Sequence, residues 1–251
     1  MNRLAFWLLG LGCFVFFLLA GIPANVLTGP VSQMTPIRLH GVSGTIWSGH
    51  VARVTAPEGI EIPKLSWDFK ALSLLRGTVA VAFSTGRDNW HGEGEAGWSP
   101  WAGVVLRDLL LNADLSKVRL PNLPAEAGLV DGRVEQLRLD LNGMPRSGKG
   151  RVEVEQLRLP TFIGGELGSF VAELGDREGG GVRVRVKDKE SPLDLQVTVE
   201  VDGQGIYRVE GGMAARDARS RLGELVKQAG PPGPDGRIPI RESGNLAQLL
   251  K

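Results

Sequence analysis

A mainly β protein hung from a single N-terminal transmembrane helix is the fold class this sequence predicts, and three observations predict it. Leu4 to Ile22 are nineteen consecutive uncharged residues behind Arg3, and no such run recurs in the 251-residue chain. The remainder holds most of the 35 glycines and 15 prolines and few long helix-forming stretches, which favours short strands joined by turns. Several segments alternate strictly: Val182, Val184 and Val186 oppose Arg183, Arg185 and Lys187, and Leu193 through Val201 repeat the pattern. Alternation of period two places one apolar and one wet face on a sheet. The expected body is a twisted, largely antiparallel β-sheet with one short C-terminal amphipathic helix.

The apolar run comes first. About 20 residues cross the roughly 30 Å hydrocarbon layer, so residues 1–25 suffice as an anchor. Arg3 favours a cytoplasmic N-terminus and a body on the far side. A cleavable signal is the competing reading, but the run exceeds the usual 7 to 15 residue core of about that kind. Cleavage after Ala24 or Ala20 would put Ile22 or Leu18 where a small residue is needed, so an uncleaved anchor is expected. The lone cysteine, Cys13, lies inside the run, which leaves the body without a disulfide partner.

Residues 26–39 read as a connector and residues 40–251 as a single β-rich domain. Within it, Gly132 to Asp140 (GRVEQLRLD) nearly repeats in Gly150 to Pro160 (GRVEVEQLRLP). In both copies the alternation changes phase, Val134 to Leu137 and Val154 to Leu157. An odd spacing of three keeps one face only if a residue bulges out, so bulges are expected near Glu135/Gln136 and Glu155/Gln156. The copies should be adjacent antiparallel strands joined across Asn142 to Lys149. A helical turn is expected around Ala113 to Val118. Asp217 to Ala229 is the one convincing helix, with Leu222, Leu225, Val226 and Ala229 on one stripe, Asp217 as N-cap and Gly230-Pro231-Pro232 as its end. PPGPDG at Pro231 to Gly236 leads to a last strand, Arg237 to Arg241, and an exposed tail. Trp47, Trp67, Trp90, Trp98 and Trp101 all stand in strand-like contexts, as core filler or as the lining of a wide apolar groove.

Chemistry is thinly represented. His40, His50 and His91 each adjoin or neighbour glycine in turn-like positions, and the first two suit opposite ends of a hairpin better than one metal. Ser43 and Ser48 lie near them without an acid to complete a triad. The glycines of HGEGEAG and of Gly179 to Gly181 lack the strand-to-helix context of a phosphate loop and read as turn glycines. Glu93 and Glu95 read as a solvated strand face. With 29 Lys+Arg against 28 Asp+Glu, no net field draws nucleic acid. No catalytic, metal or cofactor site is expected.

Gly41 to Val54 (GVSGTIWSGHVARV) and Leu65 to Phe83, together with Ser191 to Arg216 and Asp235 to Leu246, resemble the type II secretion system protein N family. The motif positions are Gly44, Thr45, Trp47 and Gly49, then Trp67, Leu74, Leu75 and Gly77, then Ser243, Gly244 and Leu246. The resemblance implies an accessory, non-catalytic component of the bacterial cell inner membrane. Its periplasmic body would contact other type II secretion components, without enzyme activity or cofactor, to support export of folded proteins. The strand-rich body is also similar to AsmA-like proteins, which implies the alternative of a periplasmic groove that binds or passes lipid acyl chains.

Overall fold

Alternating segments, each too short to bury its own apolar side, solve the problem by pairing edge to edge in the order in which they are made. A computed structural model describes residues 20–27, 29, 37–55, 61–87, 90–117, 127–159 and 165–246. The strands are β1 (Arg38–Gly44), β2 (Ser48–Thr55), β3 (Glu61–Phe69), β4 (Val79–Arg87), β5 (Trp90–Ser99), β6 (Gly103–Asp114), β7 (Ala127–Leu139), β8 (Pro145–Leu159), β9 (Gly165–Asp176), β10 (Val182–Lys189), β11 (Leu193–Val201), β12 (Ile206–Ala215) and β13 (Ile238–Asn245). They form one thirteen-stranded antiparallel meander in which spatial order equals sequence order, with β1 and β13 as its two free edges. The expected span up to residue 19, with Cys13, lies outside the described residues. No described helix is long and apolar enough to cross a membrane.

Both expected bulges are present. Val134 faces Gly150 while Gln136 faces Lys149, so Glu135 is the extra residue of β7. Val154 faces Phe170 while Leu157 faces Gly168, and Gln156 takes φ +51° in β8. A third bulge was not foreseen: Glu93 faces Leu110 while Glu95 faces Arg107, with Asp108 at φ +49° in β6. Each bulge absorbs one residue, and each lets apolar residues three apart, such as Leu106 and Leu109, share a face.

Several local expectations are corrected. β8 begins at Pro145, so the β7–β8 turn is the tight Asp140–Met144 segment, whose Asp140 carboxylate accepts from Asn142 N and Met144 N. The glycines of HGEGEAG lie inside β5 instead of a turn. Gly94 sits where a Cβ would collide with Leu109 of β6, so close packing, not turning, requires glycine there. The helix, α1, covers Arg221–Gln228, and its N-cap is Ser220, whose Oγ accepts from Gly223 N at 3.0 Å; Asp217 instead closes the preceding turn. The last strand extends through Asn245, so the Ser243-Gly244 tail is a sheet edge. The helical turn expected around Ala113 to Val118, by contrast, is present as a 3₁₀ turn at Leu115–Lys117.

The chain just beyond the apolar run is also tied down. Pro23 bridges Thr45, Ile46 N donates to Ile22 O at 3.1 Å, and Ala24, which opens the 3₁₀ turn Ala24–Leu27, is fully buried. Residues 22–27 are therefore a docked segment at the β1–β2 turn.

A Cβ on Gly150 would stand 2.8 Å from Arg133 O and 2.8 Å from Val134 Cα, both backbone. Gly150→Ala therefore has to spread β7 from β8 and should lower stability by about 1–3 kcal/mol, read as a shifted urea midpoint.

Candidate functional site

Following the register across the sheet gives one unbroken row: Gly44, Gly49, Trp67, Phe83, Gly94, Leu109, Val134, Gly150, Leu174, Val184, Val199, Val209. Gly94 joins Leu109 across the β6 bulge by direct contact. The row contains only apolar residues and glycine until Glu242 of β13. The neighbouring row on the other side reads Ser43, His50, Ser66, Ser84, Glu93, Leu110, Arg133, Arg151, Glu173, Arg185, Thr198, Glu210, Arg241. The two faces are thus segregated over the full width of the sheet.

Among the described residues, no second layer covers the apolar face. α1 packs against β12 at one corner, and the strands pack chiefly on their neighbours in sequence. Consequently Leu109, Val134, Leu174, Val184 and Val199 remain half-exposed, and Leu111 of the same face is 40% exposed. Trp67, Trp90 and Trp98 lie on this face, half-buried or exposed, and line an open surface instead of filling a sealed core. Trp47 and Trp101 stand in turns, which corrects their strand-like reading.

The polar face carries ion pairs both within and between strands. Glu200 accepts from Arg183 Nε at 2.7 Å and Arg177 Nε at 3.0 Å, and Glu153 accepts from Arg151 Nε at 2.7 Å. Hydrogen bonds from Arg183 and then Arg177 hold the Glu200 carboxyl below the usual glutamate range. All three histidines lie in strands, not turns. Ser43 Oγ and His50 Nε2 are 2.8 Å apart, but they are exposed cross-strand partners, and Ser48 Oγ donates to Asp68 instead. Glu95 pairs with Lys70, and Glu93 with His91 at 3.3 Å. Among the described residues no three His, Cys, Asp or Glu side chains group as a metal site.

The motif residues have structural work. Gly44 (φ +91°) and Thr45, whose Oγ1 accepts from Trp47 N and Ser48 N, form the β1–β2 turn. Trp47 meets Phe69 edge-on at 4.9 Å between centroids. Gly49, Gly77 and Gly244 share one role that sequence reasoning missed: each is the floor beneath an aromatic ring. A Cβ there would stand 2.5 Å from Trp67, 2.5 Å from Trp101 and 2.7 Å from Tyr207, respectively. Leu74 and Leu75 lie exposed in the 3₁₀ turn Ala71–Arg76, Ser243 pairs with Arg208, and Leu246 N donates to Gly205 O. The motif is therefore spread along the sheet and its turns and does not converge on one site.

These features define a class: an open β-meander with segregated faces, whose recurring residues shape backbone and support aromatic rings. A match to the family described as Type II secretion system (T2SS), protein N spans residues 35–241, and the chain belongs to that family. It is 25% identical over 239 residues to the Type II secretion system protein N of Vibrio cholerae serotype O1, covering 90% of this chain and 91% of that one. It is 35% identical over 130 residues to the protein of that name from Aeromonas hydrophila, covering 48% and 50%. No solved structure matches.

A carboxyl whose folded pKa is depressed contributes stability above its unfolded value, about 4.3 for glutamate, and loses it as pH falls through the folded one. Glu200→Gln should therefore lower the urea midpoint at pH 7, and the gap to the parent should close as pH falls below the usual glutamate range.

Proposed function

We propose that this protein is an accessory, non-catalytic component of the type II secretion pathway in the bacterial inner membrane, acting in the periplasm through the open apolar face of its sheet. Family membership supports the pathway, and the charge-free run behind Arg3 supports the membrane and the orientation. The unbroken apolar row supports a binding role for the face, since monomeric proteins rarely leave large contiguous apolar surface uncovered.

Of the two occupants the sequence suggests, lipid acyl chains fit this face better than strand addition by a protein partner fits the edges. Both edges are blunted. β1 is seven residues long and broken by left-handed Gly41 (φ +68°) and Gly44, while β13 carries Pro239, Arg241 and Glu242. The face, by contrast, is smooth, glycine-punctuated and continuous, which suits flexible hydrocarbon that needs no hydrogen-bond partners. Contacts with other secretion components then fall to the charged face.

Mass analysis of the full chain, extracted in mild detergent and exchanged extensively, should find co-purifying phospholipid or lipopolysaccharide. Leu174→Glu with Val199→Glu should reduce that lipid by about tenfold, equivalent to about 1.4 kcal/mol; a lipid-free parent chain would count decisively against the groove. Replacing residues 1–20 by a cleavable signal, which keeps the docked residues 22–27, should impair secretion while circular dichroism still reports a folded sheet, and normal secretion by that form would remove the reason for an anchor.

A further inference from the structure

Antiparallel pairing gives the sheet two ends, and one of them gathers exposed apolar side chains among the described residues. The end holding the Pro23–Thr45 bridge also holds the turns after β3, β5, β7, β9 and β11. Most of the large hydrophobic side chains left exposed among the described residues gather there. Leu72 is 79% and Leu75 86% exposed in the 3₁₀ turn after β3, Trp101 is 73% exposed in the turn after β5, and Leu141 is 63% exposed in the turn after β7. Trp98 and Val79, paired across β4 and β5, continue the patch onto the apolar face. Among the described residues near the opposite end, Leu129 is 53% and Leu111 40% exposed, and the described connections there carry exposed charge: Glu190 after β10, and Arg216, Asp217 and Arg219 between β12 and α1.

The apolar turns are held in place. Gly77, at φ +66°, ends the Ala71–Arg76 turn, and the Trp101 ring lies directly on it, so two neighbouring turns brace each other while still presenting Leu75 and the indole outward. Arg76 flanks them. Leucine and tryptophan beside arginine is the composition of a surface that sits at the level of phospholipid headgroups.

From the position of this patch we infer that the sheet stands on the outer surface of the inner membrane, with the turns after β3, β5 and β7 inserted in the headgroup layer of the bilayer that holds the anchor. The occupant is fixed by continuity: the apolar run ends at Ile22, and Ile22 and Pro23 bond directly to Ile46 and Thr45 at this same end. No slack separates the span from the rim. The inference rests on the membrane-anchor part of the proposed function and is independent of what occupies the apolar face.

The test uses the full chain with Cys13→Ser, reconstituted into phosphatidylethanolamine–phosphatidylglycerol vesicles free of other protein. Leu75→Cys, Leu141→Cys and, as control, Glu190→Cys each carry an environment-sensitive fluorophore, and circular dichroism confirms that each labelled chain keeps its sheet. Blue-shifted emission at 75 and 141, with several-fold weaker quenching by aqueous iodide than at 190, is the expected result. Equal quenching at all three positions in chains that resist carbonate extraction overturns the docking and leaves the anchor standing. Protection seen only in native membranes, not in lipid alone, assigns the rim to a protein and also overturns it. Loss of the chain to the carbonate supernatant overturns the anchor and the docking together.

Discussion

Everything in this molecule depends on a sheet that, among the described residues, has only one layer. A β-sheet normally hides its apolar side against another sheet or a helix; here α1 is too short and lies at one corner. Cohesion is then left to nearest-neighbour ladders and to side chains packed laterally over adjacent strands. Glycine becomes useful under that constraint. Trp67, Trp101 and Tyr207 lie against Gly49, Gly77 and Gly244, each ring gaining contact with backbone that a Cβ would push away. Tyr207 is fixed further by donating to Glu242 at 3.1 Å, the carboxylate that ends the apolar row. The same economy explains the bulges, which keep one face apolar through stretches where strict alternation fails.

The β1–β2 turn is where the chain that follows the apolar run joins the sheet. Within a few residues, Thr45 caps its own turn, Trp67 Nε1 donates to Ile46 O at 3.2 Å, Phe69 N donates to Trp47 O at 2.6 Å, and Ile22 and Pro23 join from the N-terminal side. Three segments distant in sequence meet on one small turn. A force or orientation imposed at Ile22 is therefore delivered to β3 as well as to β1, and the sheet cannot swivel freely about a linker. This is a physical reason for a glycine, a threonine and a tryptophan at these spacings without any chemistry among them.

Much of this was legible in the chain. The alternators at 182–187 and 193–201 became strands β10 and β11, and the phase changes at Val134–Leu137 and Val154–Leu157 announced their bulges. The third bulge carried the same signal, Leu106 to Leu109, but the run Leu109-Leu110-Leu111 hid it, because a leucine on the wet face looks like one on the dry face. Glycine misled in β5: it reads as a turn former, yet at Gly94 it makes room for a leucine of the next strand. Asp217 lost the N-cap to Ser220 because either can cap and only tertiary placement decides where the chain starts to coil. The tryptophans were readable as apolar but not as uncovered, since exposure is a property of missing layers and no local pattern records a layer that is not there.

The open face and the apolar rim together constrain orientation. Strands that end in the headgroup layer rise from the membrane, and a ten-residue strand reaches about 33 Å. In the proposed orientation the apolar face forms a wall along that height, continuous at its foot, through Val79 and Trp98, with the rim inferred to meet lipid. An acyl chain leaving the outer leaflet would meet hydrocarbon the whole way up, without crossing a charged band. On the reverse side the row from Ser43 to Arg241 keeps water and ion pairs over the full width. A chain tied to its anchor at Ile22 could thus present lipid-facing and protein-facing surfaces at once, each on its own side of a single layer.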